Sequence, residues 1–161
     1  SDAEKAHFQV ALIGDARGRD DYLAALTSRI AENGLDDLVK ITGHSSDMVN
    51  LYAAADLVLA PSTRPEAFGR IAIEAGAMQR PVIVSDHGGQ RETVVDGETG
   101  WRVKPGDPAD LARAIGAYLG LSTAERQNMG RKARTNVERQ FTKSGLQRAT
   151  LEVYQSLLSG E

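Results

Sequence analysis

Short apolar runs alternate along the chain with longer stretches of mixed polarity. Each run is continuously apolar or nearly so, and most of them end at glycine, proline or a small polar residue. This pattern is typical of parallel strands that are covered by helices on both faces. The five predicted strands lie at residues 8–13, 39–42, 57–60, 81–84 and 101–103.

Between these runs the apolar residues recur at helical spacing, and several helix starts carry capping signals. Asp107 followed by Pro108 predicts an N-cap with proline at the first helical position. Ser122 with Glu125 predicts a capping box at the start of the next helix. Further helices are predicted near residues 22–33, 48–54, 71–78 and 144–158.

The regular alternation of strand and helix with short links indicates right-handed βαβ units. We therefore predict an α/β fold, an open doubly wound parallel sheet of about five strands of the Rossmann-like kind, in one domain over residues 1–161. Ligands of such sheets bind at the carboxyl ends of the strands. The residues that directly follow each strand are thus the ones to search for chemistry.

Composition and charge remove several classes of function. A net charge of −3 and a pI near 5.6 argue against nucleic acid as a partner, because such proteins usually carry a basic face. There is no cysteine, which excludes thiolate metal sites and a disulfide framework and fits a cytoplasmic, reducing location. No apolar run approaches the roughly 18–20 residues that cross a bilayer.

The densest chemical signal lies after the third predicted strand, in a loop with two prolines that leads into a helix. Gly69 allows a ligand to approach the backbone closely. The first N–H groups of the helix have no partner within it and lie at the positive end of its dipole, so they suit an anion. Glu66 lies just before these groups, and Glu74 lies two turns into the helix.

Two carboxylates on either side of free backbone amides suit a ligand with hydroxyls at both ends and a diphosphate between them. If the whole segment were helical, its eight-residue spacing would separate the carboxylates by ~12 Å along the axis and ~80° around it. Carboxylate oxygens accept charge-assisted hydrogen bonds from hydroxyls. The expected ligand is a nucleotide sugar.

The segment EAFGRIAIE over residues 66–74 resembles the E-x7-E motif of the family four retaining glycosyltransferases, which have the GT-B fold. The resemblance continues over most of the chain, through residues 10–15, 41–62, 80–103 and 107–115. The order of these segments makes it far more specific than the motif alone. The stretch PSTRPEAFGR is similar to members that make bacterial lipopolysaccharide and other polysaccharides.

The resemblance implies that this chain is the carboxy-terminal, donor-binding half of such an enzyme. It assigns Glu66 to the donor hexose and the reacting face, and Glu74 to the ribose hydroxyls. Hexose and diphosphate contacts fall to the backbone amides of Ala67, Phe68, Gly69 and Arg70, and Ile71 lines the site. Backbone contacts at the edge of the nucleobase pocket fall to Gly43, His44 and Asp47.

Family members begin this domain with one more strand, followed by an arginine and a lysine that grip the diphosphate, and we expect the chain to lack this part. We also expect it to lack the amino-terminal domain that binds the acceptor, a sugar or a lipid-linked saccharide. The isolated chain is then inactive, although the whole protein is a hexosyltransferase. The family reaction is front-face transfer with retention, in which the departing diphosphate takes the acceptor proton and no metal or other cofactor takes part.

Plainer interpretations stand beside these. Glu66 and Glu74 could be solvated surface carboxylates. His44 and His87 follow strands, yet a loop histidine is a simpler reading than a metal pair. Arg70, like Arg64, could neutralise phosphate or only extend over apolar surface. A basic face on the helix after residue 122 is either solvated or in peripheral contact with the inner face of a membrane.

Two other classes of function remain open. A binding module would hold a nucleotide sugar without turnover, and an upstream α/β domain in the reading frame would separate it from an enzyme. A response-regulator-like domain would need an acidic cluster after the first strand, where only Asp15 lies.

A dinucleotide-binding domain is a further class that the glycines after the first strand bring to mind. Gly14 and Gly18 alone do not form its fingerprint, however, because the third glycine is absent.

Overall fold

A computed structural model describes residues 8–159, which form five strands and seven helices. All five predicted strands are present, with boundaries shifted by no more than two residues. The strands are β1 (Val10–Ile13), β2 (Val39–Gly43), β3 (Val58–Ala60), β4 (Val82–Ser85) and β5 (Gly100–Val103). The fold class is therefore α/β with parallel strands, as the alternation predicts.

The helices lie between and after the strands, at the predicted places with one addition. They are α1 (Asp20–Glu32), α2 (Met48–Ala54), α3 (Arg70–Ala77), α4 (Gln90–Thr93), α5 (Pro108–Leu119), α6 (Thr123–Gln140) and α7 (Lys143–Ser159). The addition is α4, a single turn that is too short to show helical periodicity in the sequence. None of the helices in residues 8–159 has the length and apolar composition needed to cross a bilayer.

Both predicted capping signals are confirmed. The Asp107 carboxylate accepts hydrogen bonds from the backbone N–H groups of Ala109 and Asp110 at the start of α5. At the start of α6, Ser122 and Glu125 form the reciprocal capping box. These contacts satisfy helix-terminal donors locally, which is why the boundaries are legible in the sequence.

The first compact unit, described over residues 8–48, contains β1, α1 and β2. The two strands pair in parallel, with Val10 opposite Val39 and Leu12 opposite Ile41. Their side chains alternate between half-buried and exposed. The prediction that these strands are covered on both faces is thus wrong for β1 and β2, because every second residue of each strand is exposed.

The second unit, described over residues 49–159, contains the parallel sheet β3-β4-β5. The central strand β4 is fully buried, as its continuous apolar run predicts. The core of this unit is built on Ile83, Val103 and Ala114. Helix α3 packs against α6 so closely that a Cβ at Gly76 would lie 3.0 Å from Val137 Cγ2. This packing fixes the helix that carries the candidate site.

Candidate functional site

The loop from β3 into α3 follows the carboxyl end of β3 and turns sharply at Gly69. This residue is the N-cap of α3, with a left-handed backbone (φ 78°) and no side-chain cap. A Cβ at Gly69 would lie 2.8 Å from Cγ of Gln90, which is fully buried beneath it. Glycine is required here both for the backbone conformation and for the close approach.

Four consecutive backbone amides at this turn can donate to a ligand. Within residues 8–159, no backbone N–H of Ala67, Phe68, Gly69 or Arg70 donates a hydrogen bond. Ala67, Phe68 and Arg70 are exposed. These donors lie at the positive end of the α3 dipole, so together they can hold an anion.

Glu66 lies before this turn in a loop that is braced by backbone packing. Its carboxylate Oε1 accepts a hydrogen bond from the Ser62 hydroxyl. Its carbonyl oxygen accepts a hydrogen bond from the Gly89 N–H at 2.8 Å. Gly88, at φ 57°, approaches so closely that a Cβ there would lie 2.5 Å from the same carbonyl oxygen. The loop after β4 therefore fixes the position of Glu66.

His87 completes this brace. Its Nε2 lies 2.8 Å from the carbonyl oxygen of Ser62, so Nε2 carries the proton and donates it. This contact ties the loop after β4 to the loop after β3. Within residues 8–159, no group of three His, Asp or Glu side chains could hold a metal ion.

Glu74 lies in the second turn of α3, and both of its carboxylate oxygens accept hydrogen bonds. The Tyr52 hydroxyl, from α2, donates to Oε2 at 3.1 Å. The Arg70 guanidinium donates to Oε1 at 2.8 Å. The guanidinium thereby forms an ion pair four residues along its own helix, and its contact with a phosphate stays a prediction.

Burial raises the pKa of Tyr52 to about 12, and the hydrogen bond to Glu74 and the charge of that carboxylate add to this effect. The phenol is consequently protonated throughout the physiological pH range. It acts on Glu74 as a hydrogen-bond donor only.

Most of the predicted site residues lie in the second unit, and the other three belong to the first unit. Residues 66–71 and Glu74 form one continuous loop and helix in the second unit. Ile71 is exposed in the first turn of α3. Gly43, His44 and Asp47 belong to the first unit, where Gly43 ends β2 and the other two lie exposed in the following loop.

Three contributors to this arrangement escape sequence reasoning. Ser62 donates to Glu66 and Tyr52 donates to Glu74, while His87 acts indirectly, through the carbonyl oxygen of Ser62. For Ser62, the signal is its position directly after a strand, four residues before Glu66. For Tyr52 the only signal is a polar tip on an otherwise apolar helix face.

Comparison with known proteins decides the family. The family model described as "Glycosyl transferases group 1" matches residues 2–136. The chain belongs to the group 1 glycosyltransferases. A similar protein is the lipopolysaccharide core biosynthesis mannosyltransferase LpcC of Rhizobium leguminosarum bv. viciae, 36% identical over 138 residues. That match covers 83% of this chain and 37% of LpcC, so the chain spans little more than a third of the relative's length.

Solved structures of this family share the fold. HepE of Anabaena, in complex with UDP-glucose, superposes with a TM-score of 0.84 at 32% identity, over 92% of this chain and 41% of HepE. The C-terminal domain of the group 1 glycosyltransferase LpcC from Francisella tularensis gives a TM-score of 0.76 at 26% identity, over 84% of this chain and 70% of that domain. The architecture described above is thus that of GT-B glycosyltransferases.

Proposed function

We propose that this group 1 glycosyltransferase chain is the donor-binding part of a retaining hexosyltransferase whose donor is a nucleotide sugar. One observation carries the proposal: the amides of residues 67–70 lie between two carboxylates that the protein holds in place, and these amides donate to no acceptor in the part of the chain that the structure describes. HepE, a structural neighbour, is solved with UDP-glucose, which supports a ligand of this chemistry.

Each part of the segment matches one part of such a ligand. The amides and the α3 dipole favour the diphosphate and would stabilise the charge that develops on it as it leaves. Glu66, before the amides, lies on the hexose side and accepts from its hydroxyls. Glu74, in the second turn, lies on the nucleoside side and accepts from the ribose. Contacts of Gly43, His44 and Asp47 with the nucleobase stay a prediction of the family resemblance.

The strand pairing supports the proposal that one strand of this domain is absent. The classic doubly wound sheet has the strand order 3-2-1-4-5-6. Removal of strand 1 from it leaves the pair 3-2 and the set 4-5-6. The observed hydrogen-bonded sets are β1-β2 and β3-β4-β5. We therefore propose a single domain, over residues 1–161, whose first strand belongs to another part of the parent protein.

The reaction of the whole protein follows from the resemblance and is likewise a proposal. Transfer proceeds with retention and without a metal, and the acceptor, a sugar or lipid-linked saccharide of bacterial polysaccharide or lipopolysaccharide synthesis, binds to a separate domain. The isolated chain binds donor but transfers nothing. We also propose a cytoplasmic location, with peripheral contact at the inner membrane face.

The proposal is tested by the ratio of nucleotide-sugar to nucleoside-diphosphate affinity in two variants. Glu66→Gln should change the binding of the bare diphosphate by less than about 0.5 kcal/mol, since this side chain lies on the hexose side. The same variant should weaken the nucleotide sugar by about 1–2 kcal/mol. Glu74→Gln should weaken both ligands alike, which marks uniform binding. If Glu74→Gln shifts the ratio and Glu66→Gln does not, the ligand lies the other way along α3.

A further inference from the structure

The Glu74 carboxylate is held by two donors of very different character. Arg70 lies on the same helix, its side chain is 81% exposed, and the pair it forms is open to water. Tyr52 comes from α2 and is 5% exposed. Exposed ion pairs within one helix are weak and screened by salt, whereas a buried donor from another element keeps its direction. The orientation of Glu74 therefore depends mainly on Tyr52.

The hydrogen bonds that Glu74 already accepts leave a defined set of acceptor positions. A carboxylate offers about four lone-pair positions, two on each oxygen. Tyr52 uses a position on Oε2, and Arg70 uses one on Oε1. Each oxygen keeps one position for a ligand. Two vicinal hydroxyls need one acceptor oxygen each, so a carboxylate in this fixed orientation matches a ribose.

We propose that Tyr52 is a positioning residue for ribose recognition: its hydroxyl orients Glu74 so that both carboxylate oxygens face the two ribose hydroxyls of a nucleoside diphosphate. This inference rests on the proposed function, because it requires that Glu74 binds the ribose. It adds a residue in α2 that never touches the ligand. Because the Tyr52 pKa lies near 12, the phenol keeps its proton over the whole pH range in which the protein would act.

Tyr52→Phe removes the hydroxyl and leaves the ring in the core. The readout is ribose preference, the ratio of affinities for a ribonucleoside diphosphate and its 2′,3′-dideoxy analogue. Ligand-detected NMR titration of the 161-residue chain measures both, with uridine, guanosine or adenosine diphosphate, whichever binds most tightly. Tyr52→Phe should lower the preference about threefold to tenfold, the effect of one net hydrogen bond, without changing affinity for the dideoxy analogue.

Tyr118→Phe is the matched control. Tyr118 is also buried, and its hydroxyl donates to the Asp56 carbonyl oxygen at 2.8 Å, away from Glu74. This variant should lose stability much as Tyr52→Phe does and keep the ribose preference of the wild type. Equal weakening of both ligands by Tyr52→Phe, or an unchanged preference, would overturn the inference.

Glu74→Gln separates failure of the inference from failure of the proposed function. If it removes the ribose preference while Tyr52→Phe does not, Glu74 binds the ribose and only the role of Tyr52 is wrong. If Glu74→Gln leaves the ribose preference intact, or if none of the three diphosphates binds to the wild type, the inference about Tyr52 and the proposed function are both wrong. If Glu74 binds the ribose and Tyr52 orients it, the double variant Tyr52→Phe/Glu74→Gln should show the same ribose preference as Glu74→Gln alone, because the two residues act as one unit.

Discussion

The two ends of the segment from residue 66 to residue 74 hold their carboxylates by different means. At the loop end, Glu66 is placed by its backbone: Gly88 packs closely against its main chain, and the Gly89 N–H donates to its carbonyl oxygen. The Ser62 hydroxyl then holds the carboxylate. At the helix end, the backbone of Glu74 is set by α3, and side-chain donors aim the carboxylate.

This difference predicts how each end responds to change. Where backbone packs directly on backbone, there is no room for an added Cβ. A single methyl group at the loop end should therefore lower the free energy of unfolding. Side-chain donors can be removed one at a time without disturbing the backbone. At the helix end, each removal should therefore change ligand affinity by a limited amount. We expect stability effects to dominate at the loop end and affinity effects at the helix end.

The largest expected effect is that of Gly88→Ala. The new Cβ would lie 2.5 Å from the Glu66 carbonyl oxygen and 2.9 Å from its backbone nitrogen, at a φ of 57°. Overpacking together with the left-handed backbone should lower the free energy of unfolding by about 2–4 kcal/mol. Urea denaturation measures this loss.

Gly97→Ala isolates the backbone part of that loss. Gly97 has a φ of 74°, but no atom lies within 4 Å of its would-be Cβ. Its substitution should cost only about 1–2 kcal/mol, the price of the left-handed conformation alone. Equal losses in the two variants would mean that the loop after β4 does not brace Glu66.

The next effect is on binding at the helix end. Glu74→Ala should weaken nucleoside diphosphate binding by about 1.5–3 kcal/mol, the scale of hydrogen bonds to a charged group. Calorimetric titration is the measurement. Glu138→Ala is the control, because Glu138 forms a similar ion pair with Arg134 four residues before it in α6. Unchanged affinity in Glu74→Ala would remove Glu74 from the site.

How far the sequence predicts these features depends on the range of the contacts involved. The strands, the capping box at Ser122 and the N-cap at Asp107 are all predictable, because their signals lie within a few neighbouring residues. Sequence spacing likewise singles out Glu66 and Glu74, whose binding roles stay a prediction. The hydrogen bond from Tyr52 to Glu74 spans 22 positions and depends on how α2 packs, so no local pattern reports it.

A third prediction concerns the pH dependence of stability that Tyr52 introduces. Its pKa is about 12 in the folded chain and 10.0 as a free side chain, so its contribution to stability is full below pH 10 and is lost as pH rises towards 12. Between pH 9 and 11 the wild type should lose about 1–1.5 kcal/mol more than Tyr52→Phe. Urea denaturation across this range measures the difference, and parallel curves for the two proteins would contradict a buried, Glu74-bonded phenol.

The smallest effect should come from Arg70→Gln, and it decides what Arg70 contributes. The guanidinium is exposed and pairs with Glu74, so its loss should change stability by less than about 0.5 kcal/mol. The backbone N–H that Arg70 offers to a diphosphate is untouched, and Tyr52 still orients Glu74. Nucleoside diphosphate affinity should therefore change by less than about twofold, which is within the range of a surface substitution. Arg148→Gln is the control, because Arg148 Nε lies 4.0 Å from Glu152 Oε1 in a similarly exposed ion pair. A large, salt-dependent loss of affinity in Arg70→Gln alone would show that the guanidinium itself binds phosphate, and the helix end would then hold its ligand with side-chain charge as well as with backbone amides.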